Sequence, residues 1–208
     1  RRYKVPAYDE ATGKGLVRHV YVRVNRKGES LCCVVINGRQ APREPELAAY
    51  VCAAVPHTAG VLVNSNTKRG NVILGERYRT LWGRDYLMDT LCGLEFKLSV
   101  PSFYQVNRDQ AEALYGKALD YAGLTGRETV LDLYCGIGTI TLCLAKRAGR
   151  VIGAEIVPAA IRDAKENAAR NHIENAEFFC GDAAETAARL ETEGLRPDVI
   201  TVDPPRKG

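Results

Sequence analysis

Long apolar runs are missing from this sequence. No segment of the 208 residues approaches the ~18 consecutive apolar residues of a membrane span, so no transmembrane helix and no membrane partner are expected. A signal-peptide pattern, internal repeats and low-complexity stretches are absent too. The chain opens Arg1-Arg2-Tyr3-Lys4 without a methionine, and it reads as a piece of something longer. The seven cysteines (32, 33, 52, 92, 135, 143 and 180) include no CxxC spacing. That removes the common zinc and thiol-redox patterns, so no metal site is expected. An odd set of unspaced cysteines points to free thiols in a reducing cytoplasm, most of them small buried apolar residues. Cys32 and Cys33 are neighbours in a strand-like run and so face opposite sides.

What is present suffices for a globular core. Apolar residues make up 46% of the chain, enough for one large domain or two small ones. The net charge of +4 is unevenly placed. Residues 1–98 hold 16 Lys+Arg against 9 Asp+Glu, whereas residues 99–208 hold 13 against 16. If the chain meets an anionic partner, the first half is where it does so.

The first half is patterned mostly as sheet. Residues 17–24 alternate, with Val20, Val22 and Val24 on one face and His19, Tyr21 and Arg23 on the other. A turn at Asn25-Arg26-Lys27-Gly28 leads to the apolar run Leu31–Ile36, which makes a hairpin. Leu47, Tyr50, Val51 and Ala54 have helical spacing after Pro45. Short strands are expected at Val61–Asn64, Asn71–Leu74 and Tyr78–Trp82, followed by a pair around Cys92-Gly93. The His19/Tyr21/Arg23 face is either an ordinary solvated face or a surface for nucleic acid through cation and stacking contacts.

Near Pro101 the texture changes. Asn107 with Gln110 forms a capping-box arrangement, and Leu114, Ala118 and Ala122 supply an inner stripe that ends at Gly123. Strands at 129–134, 150–155, 176–180 and 198–203 then alternate with helices at about 139–148, 158–171 and 183–193. This βαβα order implies a parallel sheet covered on both faces. Its first unit, Thr129-Val130-Leu131-Asp132-Leu133-Tyr134-Cys135-Gly136-Ile137-Gly138-Thr139, is a strand, a Gly-rich turn and a helix start. Ligands of such sheets sit beyond the carboxyl ends of the strands. A dinucleotide reading wants a third glycine where Thr141 stands and a pyrophosphate where Asp132 brings a carboxylate. The turn therefore suits a cation such as S-adenosylmethionine (SAM). Glu155, 19 residues beyond Gly136, stands where an acid holds a ribose diol. Asp182 closes the third strand, either near an adenine amino group or simply as a helix N-cap. Asp203, before Pro204 and Pro205, closes the fourth and faces the cofactor cleft. Arg206 and Lys207 are a solvated loop end or a phosphate contact.

The segments SFYQVN (102–107), DLYCGIGT (132–139), EIVP (155–158) and DPPRKG (203–208) are similar, in this order and spacing, to those of bacterial RNA uracil-C5 methyltransferases. So are NTKRGNVILGE (66–76) and LWGRDY (81–86). The resemblance is to the Gram-positive ribosomal RNA enzymes, related to the enzyme acting on the transfer RNA T-loop. It implies an α/β chain: a small, basic, mostly-β intermediate domain facing RNA (1–98), then the front half of a Rossmann-like SAM-dependent methyltransferase sheet (99–208), truncated after the fourth strand. It implies SAM as cofactor, with Gln105, Tyr134, Gly136, Gly138, Glu155, Asp182 and Asp203 around it. Phe103 either stacks near the target base or belongs to the core. RNA is the implied partner, ribosomal before transfer RNA.

The chemistry of that family adds a cysteine thiolate to C6 of the uracil so that C5 becomes nucleophilic. The thiolate lies in a Ser-Cys-Asn-Pro segment and the C5 base is a glutamate. This sequence contains neither, so the chain is expected to be inactive by itself. Cys135 corresponds to a family cysteine that is not the nucleophile. An iron–sulfur segment, found in some members, is also missing. Alternatives are an amino-methyltransferase, against which Arg206 after the two prolines counts, a nicotinamide oxidoreductase, and a non-catalytic RNA-binding module. The open edge of the fourth strand is expected either to self-associate or to fray.

Overall fold

The computed structural model describes residues 5–205. They form two compact units, residues 5–89 with 99–101 and residues 90–98 with 102–205. In the first unit, β1 (Val17–Val24) and β2 (Ser30–Ile36) form the expected hairpin. Helix α1 (Glu44–Ala54) then crosses to β3 (Thr58–Ser65), which lies parallel to β2, and β4 (Arg77–Gly83) returns antiparallel. The sheet order is β1-β2-β3-β4. β2 is buried at every position because both of its faces are covered. Val34 and Ile36 pack with Ala41, Val63 and Leu47 of α1. Leu31 and Cys33 pack on the other side with Leu62, Leu87 and Val100.

Two readings of this unit are corrected. A solvated His19/Tyr21/Arg23 face would leave the valines of β1 inside, yet Val20, Val22 and Val24 are exposed at 61%, 53% and 50%. Tyr21 turns inward and packs on the core around Cys33. Arg23 follows it, donating to the Tyr21 hydroxyl at 2.9 Å. The cause is coverage: α1 packs chiefly over β3 and β4, while Leu87 and Val100 roof the face that Tyr21 joins. The His19/Tyr21/Arg23 face is therefore half-buried and not the open face of the strand. The expected strand at Asn71–Leu74 is a loop. Buried Asn64 donates to the carbonyls of Gly75 and Arg77, and buried Asn66 to those of Val72 and Ile73, so side chains replace a sheet partner.

Strands β5 (Tyr86–Leu91) and β6 (Leu94–Ser99) form a hairpin through Cys92 and Gly93, both at positive φ as a tight hairpin turn needs. Residues 90–98, read above with the first domain, pack in the second unit, where Leu91, Leu94, Phe96 and Leu98 belong to the core.

The second unit continues with α2 (Arg108–Ala122), β7 (Thr129–Leu133), α3 (Thr139–Ala145), β8 (Arg150–Glu155), α4 (Pro158–Arg170), β9 (Ala176–Cys180), α5 (Ala183–Thr192) and β10 (Val199–Val202). Asn107 caps α2, accepting from the Gln110 amide at 3.2 Å. The four strands are parallel in the order β10-β7-β8-β9. Val130 and Val151 pack against α3, whereas Leu131 and Ile152 meet Leu190 of α5, so helices cover both faces. On α2 the expected Ala122 packs inward with Leu119, but the start of the inner stripe is shifted. Ala111 and Tyr115 are buried and Leu114 is exposed.

β10 is a regular strand paired with β7 from Val199 to Val202, so the expectation of a frayed end is not met. Its outer edge has no partner strand among the described residues, and Ile200 and Val202 are exposed at 54% and 56%. Open apolar edges recruit other chains. The 208-residue chain is expected to associate reversibly with rising concentration, and Ile200→Lys to remove that dependence. Sedimentation velocity across a hundredfold concentration range would show it; a wild-type chain monomeric throughout would contradict it.

Candidate functional site

All four strands of the second unit point the same way, so their carboxyl ends share one edge of the sheet. Tyr134 follows β7, Glu155 ends β8, Asp182 follows β9 and Asp203 follows β10. The geometry thus brings four of the seven expected cofactor residues to one rim, and Gly136 and Gly138 lie in the turn after Tyr134. Gln105 lies half-buried in the segment leading to α2, between buried Tyr104 and exposed Val106. That segment is tied to the same end of the sheet. Ser102 donates to Asp163 of α4 at 3.1 Å, and Tyr115 of α2 meets Thr139 at the start of α3 at 3.1 Å.

The turn after β7 is strained in a useful way. Tyr134 has φ 65°, a left-handed conformation that costs a non-glycine residue of order 1 kcal/mol or more. The residue is 39% exposed at the rim. Gly136 also has a positive φ, and a Cβ there would point into open space. The backbone of this turn is therefore approachable. Gly138 differs: a Cβ would meet the Phe178 ring at 3.2 Å and Ala164 at 3.3 Å. Its place is set by packing of the turn on β9 and α4. Glu155 braces the turn from the side. Its carboxylate accepts from the Gly136 amide at 3.2 Å and from the Val157 amide at 2.9 Å. Asp182 is the N-cap of α5, accepting from the amides of Ala184 and Glu185, so the capping alternative accounts for its position.

The Asp132 carboxylate lies beside the turn and is turned into the interior. It is 1% exposed. Thr141 of α3 donates to one oxygen at 2.5 Å and Thr201 of β10 to the other at 2.8 Å. Thr141, which displaces a third glycine, thus serves as a hydroxyl partner. Burial raises the Asp132 carboxyl to about 6, against the lowering effect of the two hydroxyls, and nearby Asp203 raises it further. Tyr115, buried at 5% exposure, is a neighbour of both acids, and burial pushes its phenol up to about 12. Sequence reasoning missed Tyr115; the available signal was its place one turn after Ala111 on the inner face of α2.

The cysteines divide clearly. Cys135 is buried at 4% exposure, and burial together with Asp132 and Glu155 drives its thiol well above the usual range. Such a thiol is a poor nucleophile. Cys180 is exposed and donates weakly to the Ile156 carbonyl at 3.7 Å. No group of three or more His, Cys, Asp or Glu among the described residues is placed to hold a metal ion. Arg206, Lys207 and Gly208 lie outside the described residues.

Residues 124–203 match the model of a methyltransferase domain family. The whole chain is 45% identical over 209 residues to an uncharacterized RNA methyltransferase of Halalkalibacterium halodurans and covers 46% of that protein. It is 44% identical to a second of that name from Clostridium acetobutylicum, covering 45% of it. The chain therefore spans less than half the length of the curated relatives it matches. Among solved structures, the Pyrococcus abyssi tRNA (uracil-54, C5)-methyltransferase in complex with S-adenosyl-L-homocysteine superposes with a TM-score of 0.76 at 24% identity, over 98% of this chain and 47% of that one. A putative SAM-dependent methyltransferase from Streptococcus mutans gives a TM-score of 0.53 at 15% identity, over 89% of this chain and 52% of that one. The second unit has the fold of SAM-dependent methyltransferases.

The Asp132 clasp has a pH signature. The folded carboxyl keeps its proton to higher pH than an unfolded aspartate, so its own contribution to stability is fully present below about pH 4 and is lost as pH rises through about 6. A two-unit displacement corresponds to roughly 2–3 kcal/mol across that window. Asp132→Asn is expected to flatten this part of the profile. Urea unfolding at several pH values checks it, and parallel profiles for the two proteins would overturn it.

Proposed function

We propose that this chain contributes the cofactor-binding half of a SAM-dependent RNA methyltransferase, and that the whole protein methylates uracil C5, in ribosomal RNA before transfer RNA. The observation that carries the cofactor reading is the rim: an approachable Gly136 turn braced by the Glu155 carboxylate, with Tyr134 strained and exposed beside it. SAM has no phosphate, so an acid beside the turn costs it nothing, whereas a pyrophosphate would be repelled. When bound, SAM supplies an electrophilic methyl group. The residues here do the positioning. Glu155 accepts from the ribose hydroxyls while remaining tied to the Gly136 amide, and Tyr134 covers one side of the cofactor. Gln105 and Asp203 stand near its methionine end and the target base, and Gly138 and Asp182 set the backbone around it. The RNA and uracil readings rest on the motifs SFYQVN and DPPRKG, with support from the relatives' names and the archaeal tRNA enzyme's fold.

Isothermal titration tests the cofactor. SAM is expected to bind and NAD not to. Glu155→Ala removes a charged acceptor and should cost on the order of 1.5–3 kcal/mol, roughly tenfold or more in affinity. Unchanged affinity would sink the assignment of Glu155.

Reactivity tests the division of labour. Among the cysteines of this chain, Cys135 is shielded and its thiol raised. RNA containing 5-fluorouridine is therefore expected to form no covalent adduct with residues 1–208, as judged by denaturing gels and mass spectrometry. An adduct mapped to Cys135 or Cys180 would show that the chain holds its own nucleophile.

A further inference from the structure

The first unit carries a concave site of its own. A cavity of about 290 Å³ opens between the β2–α1 connection and the loop from β3 to β4, lined by Ser65, Thr67, Lys68, Glu76, Arg39 and Arg77 among others. Lys68 and Glu76 pair at 2.7 Å and cancel each other. Arg39 and Arg77 are both exposed, and neither makes an ion pair among the described residues, so the lining has a net positive charge.

The loop itself is built to favour an anion. Three buried side chains draw its carbonyls inward. Arg18, whose side chain is 1% exposed, donates from Nη1 to the carbonyls of Asn66 at 3.0 Å and Lys68 at 2.7 Å. Asn66 takes the carbonyls of Val72 and Ile73, and Asn64 those of Gly75 and Arg77. The negative ends of these peptide dipoles thus point into the protein. The lining offers the side chains of Ser65, Thr67, Arg39 and Arg77 to an approaching phosphate, while the carbonyls of Asn66, Lys68, Val72, Ile73 and Gly75 are taken up inside the protein. The clamp is stiff, since Asn64 is 0% and Asn66 3% exposed, and Asn64 Oδ1 also accepts from the Gly75 amide at 2.7 Å. Arg79, paired with buried Glu44 at 2.6 Å, holds the Arg39 carbonyl at 3.2 Å and fixes the opposite wall.

We propose that this cavity is a phosphodiester-binding subsite for the RNA backbone, with Arg39 and Arg77 as the anion contacts. The proposal rests on the RNA reading given above for its ligand and deepens it by saying where the first unit grips the substrate. Such contacts carry no base specificity; they set register and are strongly salt-dependent.

The test uses residues 1–208 and a uridine-containing RNA hairpin, with affinity read by fluorescence anisotropy from 50 to 300 mM KCl. Arg39→Gln with Arg77→Gln is expected to weaken binding several-fold regardless of RNA sequence and to lower the slope of log affinity against log salt by about 1–2. Lys117→Gln, an exposed cation of α2, should leave that slope within about 0.3 of wild type, which separates a site from diffuse charge. Asn66→Ala removes no charge but releases two carbonyls, and it is expected to weaken RNA binding while a thermal melt confirms that the chain stays folded. Retained RNA binding with an unchanged slope in the double variant would overturn the subsite and leave the RNA reading standing. Absence of RNA binding by the wild-type chain would instead count against the RNA reading itself. Inorganic phosphate is the competing source of the same chemistry. Saturable competition by it at low millimolar levels, lost in the double variant, would make this a free-phosphate site and overturn the RNA assignment.

Discussion

The carboxylate of Asp132, buried at the end of β7, ties together the three elements on which the rim of the second unit depends. One oxygen is held by Thr141 of α3 and the other by Thr201 of β10. The turn from Tyr134 to Gly138 is strung between those anchors, so its left-handed residues are held in place from both sides. A buried charge of this kind is costly unless its lone pairs are met, and here two hydroxyls meet them. The same two bonds place the end of β10, and with it Asp203, against the turn. Through these two bonds Asp132 holds the rim in shape from the interior.

The first unit solves a different problem with the same means. Its loop between β3 and β4 pairs with no strand among the described residues, and its backbone groups must still be paired. Asn64, Asn66 and Arg18 pair them from inside. Loop carbonyls that water would otherwise solvate become interior acceptors, and the loop becomes a rigid surface. Rigid loops on a sheet scaffold are where binding residues concentrate. Both units thus use buried polar side chains to freeze an irregular segment, and in each the frozen segment is the part with chemical character.

The two glycines of the turn show how one motif serves two purposes. Gly136 answers a backbone conformation and leaves open space above it, whereas Gly138 answers the close packing of Phe178 and Ala164. Glu155 and Asp182 divide in the same manner. Glu155 is held by two amides on the turn side of the rim, and Asp182 is occupied in capping α5. Residues of the same motif set are therefore not equivalent in what they leave free for a ligand.

The sequence by itself determined the order of strands and helices after Pro101, the Gly-rich turn, and the acids at the strand ends. Those features are local: helical and strand periods, a glycine pair and a capping asparagine are each written within a dozen residues, and a parallel βαβα order leaves few topologies. Only the tertiary structure decided which face of an element is inward. On β1 the valines face out because the core of Leu31, Cys33, Leu87 and Val100 lies on the Tyr21 side, and the alternation of residues 17–24 is symmetrical without that knowledge. On α2 the choice between Leu114 and Tyr115 turns on Thr139. The loop at 71–74 is apolar enough for a strand, and asparagines at 64 and 66 take its hydrogen bonds instead. The interior role of Asp132 needs Thr201, 69 residues away, and no local pattern reports a partner at that distance.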